Sequence, residues 1–299
     1  MSMPTLEPFS LSVIICTRDR APQLERCLQQ FKEAQTFRKS WELIVVDNNS
    51  SDGTKAVIRK FAAAAPFHVR YLFESRQGLS HARNRGIAET SNSIIAFTDD
   101  DCLVDRQWAS TIVREFSTDP SLAVLGGRVE QGDPNGQPVG TRTFSDRKQI
   151  SSFEELFGRM IGCNMAFSRK VFEVIGGFDP LLGKGTSLGS AEDLDLLYRA
   201  LKRQLTIVYV PNAVVFHAHG RASASSIQQV NDEYAKGRGG FYWKHVVRGD
   251  LIIAKRAVGE IAYLSRASLV SGNRHGARPS PSRVLRNLAM GALYRLMGG

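Results

Sequence analysis

The apolar residues of the first hundred positions come in short runs separated by helical patterns. LSVIIC at 11–16, WELIVV at 41–46 and SIIAFT at 93–98 are rich in β-branched and aromatic residues, as expected of strands buried in a parallel sheet, and VRYLF at 69–73 is a further expected strand. After Pro22, Leu24, Cys27, Leu28 and Phe31 recur at helical spacing, and further helices are expected over 55–65 and 78–90. Strand and helix alternate, which predicts βαβ units and a Rossmann-like, mostly parallel sheet.

The second half changes character. Strands are expected over 123–129 and 160–168, with a Gly-, Pro-, Asp- and Asn-rich loop over 130–149 between them. A short helix at 170–175 leads into the turn GGFDP and a glycine-rich stretch over 181–190, flexible by composition. A strongly amphipathic helix then carries Glu192, Asp193 and Asp195 in its first turn. Strands over 206–210 and 214–216 follow, the second running into His217-Ala218-His219. The remainder is helical and basic, with apolar residues at helical spacing over 251–264 and 284–296 and a break near 272–282.

The polar residues that close the strands carry the chemistry. Asp99, Asp100 and Asp101 follow an apolar strand, and three adjacent carboxylates repel one another unless a cation such as Mg²⁺ or Mn²⁺ is shared. Open α/β sheets bind ligands at these carboxyl ends. The plainer alternative is a solvated acidic turn, or a cap in which Asp101 or Asp105 faces the helix before Trp108. The acids at 192–195 are likewise explained by a helix dipole alone. The first strand is not followed by GxGxxG, and GxxxxGK[ST] is absent. A nucleotide held here is therefore gripped by side chains and a metal.

With 299 residues, 42% hydrophobic and 23% charged, the chain fits one large domain with an appendage. Its net charge of +10 is uneven: beyond residue 220 there are 13 basic residues against four acidic ones. Four cysteines without a CxxC pair argue against a zinc site or a disulfide framework and suit a reducing cytoplasm. Residues 1–10 lack the pattern of a signal peptide, and no run reaches the roughly 18 apolar residues of a spanning helix. The expected location is cytoplasmic, peripheral at the inner face of the plasma membrane if the basic helices meet anionic lipid. An ordinary helical appendage or an oligomer contact is the alternative. Nucleic acid is not an expected partner, since no reader fold is recognisable.

Four motifs in order, SVIICTRDR, ELIVVDNNSSDGT, GLSHARNRGI…IIAFTDDD and GGFDP…AEDLDLLYR, resemble the family 2 glycosyltransferases of the GT-A fold over about residues 10–220. The resemblance implies a catalytic domain over 1–220, with 221–299 a basic helical extension. It implies nucleotide contacts from Thr17, Arg18, Asp47, Arg83, Asp99 and Asp100, with Asp47 reading a uracil base. It implies Mn²⁺ or Mg²⁺ on Asp101 and Asp99, completed by His217 in preference to His219. Asp193 becomes the base that deprotonates an acceptor hydroxyl, with Glu192 beside it, and Glu192 or Asp195 is the alternative for positioning the acceptor. Arg199 is a partner for an acid of that helix, and Trp108 either stacks on a sugar or packs in the core. The implied activity is metal-dependent, inverting transfer from a nucleoside-diphosphate sugar to a glycan or lipid-linked glycan. An inactive nucleotide-sugar-binding protein and a nucleotidyltransferase are the alternatives, and TRDRA replaces the glycine-rich loop the latter needs.

Overall fold

The computed structural model describes residues 10–33, 41–133, 140–220, 223–270 and 280–298. Helices cover both faces of one nine-stranded sheet, in the order β3-β2-β1-β4-β8-β6-β9-β5, with β7 also on β9. The strand patterns become β1 (Leu11–Thr17), β2 (Trp41–Asp47), β3 (His68–Phe73), which is a partly exposed edge strand, and β4 (Ile94–Asp99). All three pairings among them are parallel, and α1 (Ala21–Glu33), α2 (Thr54–Ala64) and α3 (Leu79–Glu89) make the crossovers. Alternation along β1 divides the core: Leu11, Val13 and Ile15 join one cluster with Leu24, Leu28 and Trp108, and Ile14 joins the other with Ala82 and Leu196.

Beyond β4 the sheet is mixed. β5 (Cys102–Val104), α4 (Trp108–Thr118), β6 (Leu122–Gln131), β7 (Lys148–Gln149), α5 (Phe153–Arg159), β8 (Asn164–Ser168), α6 (Lys170–Ile175), α7 (Glu192–Lys202) and β9 (Thr206–His217) follow in order. β8 runs antiparallel to both β4 and β6, while β6 and β9 are parallel. The expected strands at 206–210 and 214–216 are one strand, whose register shifts between Gly127 and Arg128 of β6 where Pro211, Asn212 and Ala213 intervene. The expected strand at 160–168 begins only at Asn164, because the chain turns after α5, with Asn164 N–H donating to Ile161 O at 3.3 Å. Of the loop expected over 130–149, residues 134–139 lie outside the described residues; Arg142 bridges Val129, and Lys148–Gln149 pair with β9. The glycine-rich stretch at 181–190 is tied down by Gly183 N–H to Ser190 O (3.2 Å) and Leu79 N–H to Lys184 O (2.8 Å).

The basic segment forms α8 (Ala224–Val246), α9 (Leu251–Val270) and α10 (Pro281–Gly298). The break expected near 272–282 falls mostly outside the described residues. None of the described helices is long and apolar enough to cross a membrane. Phe241 of α8 stacks on Phe153 at 5.9 Å and meets Tyr198 of α7 edge-on at 5.7 Å, so these helices share the core of the sheet. Buried charge pins them too. Lys244 Nζ lies 2.7 Å from both Asp179 and Asp195, Arg295 donates to Asp179 at 2.8 Å, and His245 Nε2 meets Asp195 at 3.0 Å.

That network carries a stability expectation. Burial tends to raise the Asp195 pKa, but His245, Lys244 and Arg199 outweigh it and hold the carboxyl well below the usual range. Because the folded pKa lies below the unfolded one, the contribution is complete above about pH 4 and is lost as pH falls further. Asp195→Ala removes the buried carboxylate that Lys244, His245 and Arg199 share and is expected to cost about 3–5 kcal/mol in urea unfolding at neutral pH. A cost within experimental error would refute this reading of the network.

Candidate active site

The carboxyl ends of β1, β2 and β4 lie side by side, with Thr17 opposite Asp47 and Cys16 opposite Asp99 in the ladders. They open into a cleft of about 440 Å³. Asp99, half exposed, lines it. Asp100 is buried beneath, where Thr17 donates its hydroxyl to Oδ2 at 2.7 Å and Arg20 Nε approaches Oδ1 at 3.4 Å. Burial lifts the Asp100 carboxyl to about 7, Asp101 and Asp99 adding to the lift and Arg20 opposing it. The capping alternative holds in part: Asp105 accepts from Gln107 N–H at 2.8 Å in the turn before Trp108, whereas Asp101 is buried among side chains.

Asp101 is the meeting point of the charges. Arg20 donates to its Oδ2 at 2.8 Å, and His217 Nε2 lies 3.3 Å from its Oδ1. The β5–β9 ladder sets this up by pairing His217 with Cys102. Burial opposes ionisation of Asp101, but His217 and Arg20 prevail and keep its pKa well below the usual carboxylate value. Burial lowers the His217 pKa, and the hydrogen bond to Asp101 with nearby negative charge raises it to about 9. Ligand atoms of Asp101, Cys102 and His217 lie within 4.8 Å of one another, and buried His217 Nδ1 has no hydrogen-bond partner among the described residues. A carboxylate oxygen and an imidazole nitrogen within reach of one point are a donor set that fits Mn²⁺ or Mg²⁺. His219 meets His217 ring-to-ring at 5.0 Å.

Across the cleft stands the N-terminus of α7. Arg83, fully buried on α3, donates Nη1 to Glu192 Oε1 at 2.9 Å and Nη2 to Asp99 Oδ1 at 3.3 Å. Phe97 and Phe178 flank the guanidinium at 5.9 and 5.2 Å. Burial raises the Glu192 pKa to about 7, with Asp193 adding to the lift and Arg83 opposing it. Asp193 lines the cleft, its Oδ1 accepting from Leu194 N–H at 2.7 Å. Two local features make room for this carboxylate. Ala191 adopts φ 73°, a left-handed conformation unusual for a residue with a Cβ, and a Cβ on Gly162 would stand 2.8 Å from Asp193 Oδ2.

Thr17, Arg18, Arg83, Asp99, Asp100, Asp101, Glu192, Asp193 and His217 therefore line one cleft. Asp47 is placed differently: it is buried at the end of β2, accepts from Tyr71 O–H at 3.1 Å and Ser50 N–H at 2.9 Å, and its neighbour Asn48 lines the cleft instead. Asp195 faces away from the cleft into the α8 network, where it also pairs Arg199 at 2.8 Å, which removes it as an acceptor-positioning residue. Trp108 is wholly buried, donating Nε1–H to Asn164 at 2.8 Å, so it packs in the core. Sequence reasoning missed Arg20, although it stands three residues after Thr17, and missed Glu233, Tyr234 and Arg238 of α8, which close the far wall.

Comparison with known proteins places this arrangement. A profile described as Glycosyl transferase family 2 matches residues 12–176. The chain is 34% identical over 179 residues to Glycosyltransferase AglE of Haloferax volcanii, covering 59% of this chain and 58% of that protein. It is 25% identical over 192 residues to the Glucosyl-dolichyl phosphate glucuronosyltransferase of the same organism, again over 59% of this chain and 58% of that protein. The chain thus spans 58% of the length of these relatives. Among solved structures it is similar to the mannosyltransferase PcManGT from Pyrobaculum calidifontis in complex with GDP-Man and Mn²⁺, with TM-score 0.66 and 19% identity over 99% of this chain and 89% of that one. S. aureus TarS 1-349 in complex with UDP-GlcNAc matches with TM-score 0.61 and 15% identity over 97% of this chain and 92% of that one; both likenesses concern the fold, the mixed α/β sheet of GT-A glycosyltransferases. With the profile spanning the three strand-end motifs and ending at Gly176, over more than half of the chain, the chain belongs to glycosyl transferase family 2.

Proposed function

We propose that the chain is a metal-dependent, inverting glycosyltransferase that moves a sugar from a nucleoside-diphosphate donor to a hydroxyl of a glycan or lipid-linked glycan. The observation that carries this reading is Arg83, whose one guanidinium holds Asp99 at 3.3 Å and Glu192 at 2.9 Å. Asp99 of the aspartate cluster and Glu192 at the start of α7 therefore meet on one side chain in the wall of a single cleft. Asp101, Asp99 and His217 are the residues that would hold Mn²⁺ or Mg²⁺, which supplies Lewis-acid stabilisation of a departing diphosphate.

The chain's own groups do the rest. Arg18 presents a buried Nη1 without a hydrogen-bond partner among the described residues at the cleft wall, suited to a phosphate oxygen. Asp47, buried behind the cleft wall and accepting from Tyr71 and Ser50, does not itself line the cleft, so the choice of a uridine diphosphate sugar rests on the family resemblance. Asp193 accepts the proton of the acceptor hydroxyl as its oxygen bonds the anomeric carbon, and the carbon–diphosphate bond breaks on the opposite face. One base with one displacement inverts the anomeric centre. Glu192 keeps Arg83 in place, and Arg83 in turn orients Asp99.

The test is incubation of the full chain and Mn²⁺ with a panel of nucleotide sugars and glycan or lipid-linked acceptors, with the anomeric proton of the product read by NMR. Transfer with inverted configuration is expected. Retained configuration would overturn the single-displacement mechanism, and absence of transfer or nucleotide release across the panel would favour a binding protein without turnover.

A further inference from the structure

The outer face of α9 has a composition that the catalytic cleft does not use. Leu251, Lys255, Val258, Ala262 and Arg266 fall on one line of the helix, at steps of three and four residues. The opposite line, Ile253, Ala257, Glu260 and Leu264, is turned to the protein. Leu251 is 82% exposed, Tyr263 71% and Val258 67%, with Ile252 and Ile261 beside them. The only acid on α9, Glu260, is turned inward, where Arg238 and Tyr242 donate to it at 3.0 and 2.5 Å. Asp250, just before the helix, is likewise consumed by Lys202 at 2.7 Å and Tyr198 at 2.9 Å. What remains outside is apolar and cationic.

Neighbouring helices extend this face. α8 and α10 run side by side in the same direction: Asp232 pairs with Arg283, a Cβ on Gly239 would meet Leu288 backbone, and Lys244 and Arg295 both reach Asp179. Their carboxyl ends therefore coincide, bringing exposed Val246 and Val247 together with exposed Leu293, Leu296 and Met297. α9 starts at that same end, after exposed Arg248. Isolated exposed apolar residues are ordinary, whereas this concentration marks a contact surface.

We propose that the outer face of α9, with the carboxyl ends of α8 and α10, docks on an anionic lipid bilayer. Helices of this kind lie in the interface, with apolar side chains at the acyl boundary and Lys and Arg at the headgroups. Charge selects lipid over a second copy of the chain, because the face presents the exposed cations Arg248, Lys255 and Arg266 while its acids Asp250 and Glu260 are held inward, so two copies would set like charges against each other. Arg238 links the two sites, since it lines the cleft while Glu260 of α9 holds it. A lipid-linked acceptor would then reach the cleft from the docked face; this use rests on the transferase reading, whereas docking itself does not.

The test is flotation of the full chain with phosphatidylcholine vesicles and with vesicles containing phosphatidylglycerol, at low and high salt. Binding is expected to the anionic vesicles alone and to weaken with salt. Each cation near such a surface is worth about fivefold in partition, so Lys255→Gln with Arg266→Gln is expected to bind about 25-fold more weakly. Leu251→Ser with Val258→Ser, at exposed positions, is expected to lose binding while keeping its melting temperature and its stabilisation by nucleotide sugar. Absent binding to anionic vesicles, equal binding to both vesicle types, or variants that bind like the parent would each overturn docking. So would a lipid-free dimer that the serine variant dissolves, which would assign the face to a second copy. Vesicle binding without any nucleotide-sugar stabilisation would instead refute the transferase reading and leave docking intact.

Discussion

Asp193→Ala is expected to lower turnover by roughly 10²–10⁴-fold, the range of a positioned general base, while donor affinity stays within about twofold. The split follows from where the carboxylate sits. Asp193 lines the cleft at the α7 terminus with its Oδ1 satisfied by Leu194 N–H, and the contacts to Arg83 belong to its neighbours Asp99 and Glu192. Removing it leaves the aspartate cluster, Thr17 and Arg18 as they were. Steady-state transfer assays paired with equilibrium donor binding measure the two quantities. Turnover near the parental rate would take the base role away from Asp193, and a matched loss of donor binding would show that the α7 terminus shapes the donor pocket.

Asp101→Asn is expected to have the opposite signature, with loss of Mn²⁺-dependent donor binding as the primary defect. Arg20 and His217 both converge on this carboxylate, so the site concentrates its charge balance in one residue. Groups that merely orient a metal ligand account for 10–100-fold in affinity, and a ligand itself for more, so about 100-fold or greater weakening of Mn²⁺ is expected. Titration of Mn²⁺ by electron paramagnetic resonance in the presence of nucleotide reads it directly. Unchanged Mn²⁺ affinity would move the ligand role to Asp99 and His217.

Much of this architecture is written in local pattern. β1 and β2 are almost wholly apolar, as burial on both faces of a parallel sheet requires, and the polar exceptions within them, Ser12 and Glu42, hydrogen-bond each other at 2.7 Å. The cluster at Asp99, Asp100 and Asp101 stands out because repelling acids after a buried strand conflict with a purely structural role. His217 and His219 follow a strand end, and the ladder with β5 turns the first of them to Asp101.

Other features are invisible to local pattern. β5 has three residues and exists only because β9 lies alongside it. Glu192, Asp193 and Asp195 look alike in the first turn of a helix, yet two further residues rotate Asp195 by about 200° from Asp193. Its partners Lys244 and His245 lie some fifty positions downstream on α8, so only the folded chain separates a cleft acid from a packing acid. Arg20 was overlooked for a similar reason: nothing near it in sequence shows that Asp100 and Asp101 will be its partners. Glu233, Tyr234 and Arg238 reach the cleft because α8 packs against α7 across the core, a tertiary event with no local signature.

The most direct measurement is the melting temperature of the parent chain, Asp101→Ala and Asp193→Ala with a panel of nucleotide sugars, each with and without Mn²⁺. A ligand that binds only the native state at 100 times its Kd stabilises it by about 2.7 kcal/mol, enough to resolve a shift of several degrees. The expected result is a shift with a uridine diphosphate sugar that requires Mn²⁺, persists in Asp193→Ala and vanishes in Asp101→Ala. Shifts that ignore Mn²⁺, or that survive the loss of Asp101, would contradict a metal-dependent donor site at the end of β4.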